Sequence, residues 1–287
     1  MRHGILLIAK PEGPTSHDIV QQARRVLHEP KIGHLGTLDP AASGLLVLFV
    51  GKKALKTIEL FQDTEKEYEA RILCGSISST YDREGVIKAQ PEKKGWSAPT
   101  QTELQNILRT QFTGTISQRP PAHSAVHLDG ERAYDIIRKD PNAILDLPER
   151  EVTISNVQLI SYGYPNICLK ITCSAGTYIR SIAHDLGQLM RSGAYLEGLK
   201  RTRVGSWRLE DAIEVDEPPA WGNVLPLKEI LSGFPRVDLT EETYADVQNG
   251  RSFTASISDE PTLAWYDDLP VAILERKEGK VKPRKVL

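Results

Sequence analysis

The segment GHLGTLDPAASG, residues 33–44, limits the possible folds of this chain more than any other stretch. It sets one carboxylate, Asp39, in a glycine-rich, helix-averse loop just before an apolar run. Gly33, Gly36 and Gly44 permit backbone dihedrals that other residues avoid, while Pro40 fixes its own φ and pushes Asp39 towards extended geometry. The run LLVLFV, Leu45–Val50, reads as a core strand, so the acid stands at the edge of a rigid sheet. By residue type alone, Asp before Pro also forms ordinary turns, bonding nearby backbone.

With 287 residues and 40% hydrophobic content, the chain has room for one large domain and a small one. Its longest apolar runs, about six residues, fall far short of the ~20 needed to span a bilayer. The opening MRHGILLIAKPEG turns at a proline too early for a signal peptide, which predicts a cytosolic protein. Cys74, Cys168 and Cys173 contain no C-x-x-C pair, so neither a disulfide framework nor a zinc site is expected.

Charge is unevenly distributed. Residues 210–268 carry three Lys or Arg against fourteen Asp or Glu, and 269–287 carry six against two, which leaves residues 1–209 at +5 within a total of −2. The basic part contains the distinctive loop. A polyanionic partner needs such local cations even when the whole chain is near neutral.

Periodicity predicts an α+β fold with a mixed, largely antiparallel sheet flanked by helices. Strands are expected at 5–9, 66–74, 151–160 and 167–173, and a helix from about Thr15 to Leu27 capped by Thr15 or Ser16. In the 66–74 strand Tyr68, Ala70, Ile72 and Cys74 share one face. Acidic residues 210–235 read as a connection to a tail. The end, residues 275–287, is short and basic, and by residue type alone it also reads as a disordered, inert tail.

A second helix starts near Thr177, with Ile179, Ile182, Ala183, Leu186, Leu189 and Met190 as its buried stripe. Arg180 falls in its first turn, where a cation opposes the helix dipole. Exposed, such an arginine is tolerated; partly buried, it calls for an anion nearby.

The loop resembles the catalytic motif of the TruB-type tRNA pseudouridine synthases, G-(T/A)-L-D-P-x-(A/S)-(T/S)-G. KPEGPTS at 10–16, KEYEA at 66–70, CSAGTYIRSIAHDLG at 173–187 and GLKRTRVG at 198–205 are similar to further blocks of that family, in the same order. The resemblance implies a synthase domain over residues 1–232 and a small PUA-like β domain over 233–287. It implies that Asp39 does the chemistry with Arg180 as its partner; a pair about 4 Å apart at an effective dielectric of about 20 attracts by roughly 4 kcal/mol before desolvation. It also implies that Tyr68 stacks on the target base, a role its apolar strand face allows it to share with ordinary core packing. By the same resemblance Leu199 is expected to close the site and His34 to fill the gap left by a flipped base, while Lys10, Gly13 and Thr15 are expected to shape the floor rather than touch the reaction.

QRPPAHSAVHLDGERAY, residues 118–134, resembles the family's RNA-gripping insertion at about 115–150. Arg119, His123 and His127 there, with Lys200 and Arg201 beside Leu199, are the implied RNA contacts. The family commonly has tyrosine and lysine where this chain has His123 and His127, and a neutral imidazole is the poorer phosphate partner. Their i, i+4 spacing lacks the third ligand a metal site requires.

The implied reaction converts uridine 55 of the T loop to pseudouridine: the N1–C1′ bond breaks, the uracil turns, and C5 bonds to C1′. No redox change or group donor is involved, so no cofactor is expected. The carboxylate has three open roles, as nucleophile at C1′, as stabiliser of charge on the sugar, or as proton relay. The expected partner is tRNA, through the T stem-loop and the acceptor region, with the protein a monomer without obligate protein partners. Two other readings stand beside this one, an RNA-folding chaperone and a guide-dependent synthase subunit.

Overall fold

The apolar run after the glycine-rich loop lies in the strand Ala42–Val50, near the centre of a large sheet, in a computed structural model that describes residues 3–91, 94–124, 126–128, 130–140, 143, 145–217, 221–277 and 279–287. Both faces of this strand are covered. Leu46, Leu48 and Val50 pack on Ile19, Val20 and Ala23 of the first helix, while Leu45, Val47 and Phe49 pack towards the C-terminal sheet. Burial on both sides is why the run is continuously apolar rather than alternating. Each fully buried side chain there contributes roughly 1.5–3 kcal/mol.

Along its main path the sheet is ordered Ile213–Glu214, Gly4–Lys10, Ala42–Val50, Ala194–Val204, Lys66–Cys74, Asn166–Cys173, Arg150–Gly163, Gly114–Gln118. Along this path Gly4–Lys10 with Ile213–Glu214, and Ala42–Val50 with Ala194–Val204, pair in parallel; the other pairs are antiparallel. The mixed α+β reading of the sequence therefore holds. Lys66–Cys74 alternates as expected, with Tyr68, Ala70, Ile72 and Cys74 buried. That face packs against the helices Gln101–Gln111 and Ile179–Leu189. The first helix, Ser16–Leu27, begins at the predicted cap: Thr15 and Asp18 form a reciprocal capping box.

Three expectations need correction. Leu189, assigned to a buried stripe, is exposed at the last turn of its helix. Residues 210–235 are more than a connection: Ile213–Glu214 and Leu225–Pro226 both pair with the strand Gly4–Lys10, and Trp221 is fully buried. Two-residue strands among prolines leave no periodic signal. The basic end is not a disordered tail, since Lys280–Val286 is a strand of a four-stranded sheet with Arg236–Asp238, Thr262–Tyr266 and Leu269–Lys277. That small sheet domain is docked, with Leu263, Trp265 and Ile273 sharing a core with Ile5, Leu7 and Phe49. Arg284 and Lys285 both pair with Glu59, and Lys56 donates to the Val286 carbonyl. Among the described residues no helix is long and apolar enough to cross a membrane.

The helix Ile179–Leu189 carries a charge at a cost. Burial, with Glu149 adding repulsion, pushes the Asp185 carboxyl up from 3.8 to about 6. Between those values the folded protein binds the proton more tightly than the unfolded chain, so stability falls as pH rises and the penalty is complete above about pH 6. Asp185→Asn is expected to raise the melting temperature at pH 7.5 by about 3 °C or more and to change it little at pH 4, as thermal melts at the two pH values would show.

Candidate active site

The catalytic-looking loop is held from three sides. From the first helix, the Ser16 hydroxyl donates to the Leu38 carbonyl at 2.9 Å and accepts from the Leu38 N–H at 2.8 Å. The Gly13 N–H donates to the Pro40 carbonyl at 2.8 Å. From the strand Ala194–Val204, the buried Arg201 donates to the carbonyls of Leu45 at 2.8 Å, Gly36 at 3.0 Å and Thr37 at 3.5 Å. Arg201 is thus an internal brace rather than a surface cation, because its guanidinium is spent on loop backbone. Lys10 is likewise buried, with its ammonium on the Pro11 and Pro14 carbonyls, and burial lowers its pKa to about 8.

Gly44 has φ of 107°, and a β-carbon there would stand 2.2 Å from the Arg201 carbonyl oxygen. Side-chain-free backbone is what lets the loop-bearing strand pair in parallel with residues 199–201. Gly44→Ala is expected to destabilise the fold by about 4 kcal/mol or more, measurable by urea unfolding.

Arg180 lies within 3.2 Å of a carboxylate oxygen of Asp39, from Nε to Oδ2. The same guanidinium reaches Asp82 at 3.4 Å, the His123 carbonyl at 3.0 Å and the Thr80 carbonyl at 3.4 Å. Its side chain is 10% exposed, Asp82's 8% and Asp39's 41%. The partly buried arginine has therefore found its anion, and two of them. Only Asp39 is open to solvent. The start of the arginine's helix is fixed by Gln118, whose amide bonds both the N–H and the carbonyl of Tyr178, at 2.7 and 3.0 Å.

Asp39 opens onto a cavity of about 600 Å³ that Tyr68, Arg180, Leu199, His34, His123 and Tyr178 also line. Tyr68 is buried within the core cluster and Leu199 packs on its edge, so both readings of Tyr68, core and cavity wall, hold geometrically. Burial pushes the Tyr68 phenol up, against the opposing charge of Arg201, and keeps it neutral. His34 and His123 each hold a buried Nδ1 with no partner among the described residues. Burial lowers the pKa of both, with Arg201 adding for His34 and Arg180 for His123, where Asp82 pulls the other way. Both rings are therefore neutral at pH 7.

The remaining sequence-predicted residues lie outside this wall. Thr15 caps its helix behind the loop. Lys200 points to the opposite face of the sheet, into a separate cavity of about 590 Å³ that it shares with Glu67 and Lys170. Arg119 is exposed, near Asp146 at 3.5 Å and Glu149 at 3.8 Å. His127 is exposed in a short hairpin with Arg132, and Ala125 and Asp129 of the same segment lie outside the described residues. Among the described residues no three His, Cys, Asp or Glu side chains are placed to hold a metal ion.

Sequence reasoning missed Asp82 and Tyr178. Tyr178 stands two residues before Arg180 and was within reach of motif reading. Asp82 sits in an irregular turn without periodicity, and only the return of that turn to the helix reveals it.

The α+β sheet thus carries a braced, arginine-paired aspartate that opens onto a cavity of about 600 Å³. A family profile described as TruB family pseudouridylate synthase (N terminal domain) matches residues 24–179. A protein named tRNA pseudouridine synthase B of Carboxydothermus hydrogenoformans is 37% identical, covering 94% of this chain and 93% of its own. One of the same name from Streptococcus gordonii is 36% identical over 99% of both chains. In fold, the chain resembles a crystal structure of a Cbf5-Nop10-Gar1 complex, with a TM-score of 0.72 and 22% identity over 99% of this chain and 84% of the other. The chain belongs to the TruB family of pseudouridylate synthases, which are isomerases.

Proposed function

We propose that this protein isomerises uridine 55 in the T loop of tRNA to pseudouridine, with Asp39 as the reacting carboxylate. The observation that carries the reading is the position of Asp39: paired with Arg180 at 3.2 Å, fixed by its loop, and open to a cavity of about 600 Å³. The arginine sets a cation directly against the carboxylate, where a covering base would otherwise leave the acid without an ionic partner. The near relatives' shared name, tRNA pseudouridine synthase B, supports tRNA as the substrate.

A uridine in a folded loop reaches Asp39 only by leaving its stack, at a cost of a few kcal/mol. Tyr68 takes the uracil face, Leu199 closes the wall, and the neutral ring of His34 suits the vacated stack. The N1–C1′ bond breaks with its electron pair leaving on the uracil, the detached base turns in the enclosed site and C5 bonds to C1′, after which C5 gives its proton to solvent and N1 takes one up, so that the product is an isomer of the substrate. Tyr178 and His123 complete the wall, and the small C-terminal sheet is the candidate for contact with the acceptor region.

The protein acts alone and as a monomer in this reading. Incubating the purified chain with unmodified tRNA, and separately with an isolated T stem-loop, then locating pseudouridine by mass spectrometry, tests it. Modification at position 55 in both RNAs is expected. Modification elsewhere would overturn the position, and a requirement for a guide RNA or second chain would favour the guide-dependent reading.

A further inference from the structure

The turn that carries Asp82 is held by more than ion pairs. Tyr81, immediately before it, has φ of 65°, a left-handed conformation that residues with a β-carbon rarely adopt. Its ring lies on that of His184, with centroids 3.9 Å apart and planes 11° from parallel. His184 stands four residues after Arg180 in the helix Ile179–Leu189, so the two side chains project from one face. One helix face thereby holds residues 80–82 twice: Arg180 takes the Thr80 carbonyl and the Asp82 carboxylate, and His184 takes the ring between them. The far side of the turn is tied to the strand Ala194–Val204, where Leu196 donates to the Tyr81 carbonyl at 2.9 Å and accepts from the Arg83 N–H at 3.1 Å.

Neither ring lines the cavity that Asp39 faces, and neither belongs to the large hydrophobic clusters. Burial lowers the His184 pKa, so the stacked ring is neutral. Asp185 and Arg119 are the charged groups near the Tyr81 hydroxyl. The contact therefore stands apart from the wall of that cavity.

We propose that the Tyr81–His184 stack is a positioning device for the reaction, holding a strained turn so that Asp82 shares the Arg180 guanidinium with Asp39. Without the stack, residue 81 relaxes towards negative φ and the following side chain turns away from the helix. Arg180 then loses the contact that sets its angle to Asp39. This inference rests on the reading of Asp39 as the reacting group.

The test compares His184→Ala, His184→Leu and His184→Phe with the natural protein, measuring kcat and KM on T stem-loop RNA together with thermal melting. The alanine and leucine variants are expected to lose kcat by roughly 10-fold, with KM and melting temperature nearly unchanged, because sub-ångström to ångström misplacement of a reacting group has effects of this order. The flat ring of phenylalanine is expected to restore kcat to within about twofold. The leucine variant, which fills the volume, carries the comparison if the alanine variant fails to fold. Tyr81→Ala should match His184→Ala, and the double variant should be no slower than either. Equal rates for the leucine and phenylalanine variants, a loss confined to KM, or additive losses in the double variant would overturn the proposal. Asp39→Asn is assayed in parallel. An active Asp39→Asn sinks the site reading and this inference together; an inactive one beside a fully active His184→Ala sinks the stack alone.

Discussion

Asp39→Asn is expected to bind T stem-loop RNA as tightly as the natural protein and to release essentially no tritium from C5-labelled uridine. The amide keeps the size of the side chain and removes its charge, which all three candidate roles of the carboxylate require. Loss of a reacting group of this kind lowers turnover by about 10⁴-fold or more. Stability should change by no more than about 1 kcal/mol, because the side chain is 41% exposed and an ion pair open to solvent contributes little. Arg180 keeps Asp82 as its partner, so no buried cation is stranded. A filter-binding curve unchanged beside a flat release trace is the expected pair of results; tritium release at the natural rate would exclude the aspartate from the chemistry.

Replacing Arg180 separates structure from catalysis. Arg180→Met leaves Asp82, 8% exposed, without its guanidinium, and removal of one partner of a buried pair costs about 3–5 kcal/mol. Asp82 still accepts from the Glu84 N–H at 3.0 Å and from the Thr80 hydroxyl at 2.5 Å, which keeps the loss within that range. Melting should fall by roughly 10 °C and tritium release should vanish. Arg180→Met combined with Asp82→Asn removes the stranded charge, so most of the stability should return while activity does not. Arg180→Lys should also be inactive, since one ammonium cannot reach two carboxylates and the Thr80 and His123 carbonyls together. If the double variant regained turnover, the arginine would be a structural residue only.

Part of this arrangement is legible in the amino-acid sequence. The alternation of Lys66–Cys74, the capping Thr15 and the placement of Arg180 in the first turn of its helix all follow from local rules, because each depends on residues within one turn or one strand. Other features are not local. Arg201 stands two residues after Leu199 in a basic segment and looks like a phosphate contact, yet it is buried against the loop 36–45; a cation's fate depends on which backbone carbonyls the fold brings to it. Lys200 faces away for a simpler reason, the alternation of a strand whose partner strands the sequence does not name.

The amino-acid sequence by itself determined a glycine- and proline-shaped loop offering one acid ahead of a strand buried on both faces, because φ restrictions and apolar runs act over a few residues. The tertiary structure alone decided that the guanidinium facing this acid is shared with a second one, Asp82. Asp39, Asp82 and Arg180 are separated by 43 and 98 residues along the chain, and only the return of the 80–84 turn and the Ile179–Leu189 helix to one face of the sheet sets two carboxylates on one guanidinium. Charge pairing acts through space, and no rule of sequence spacing encodes it.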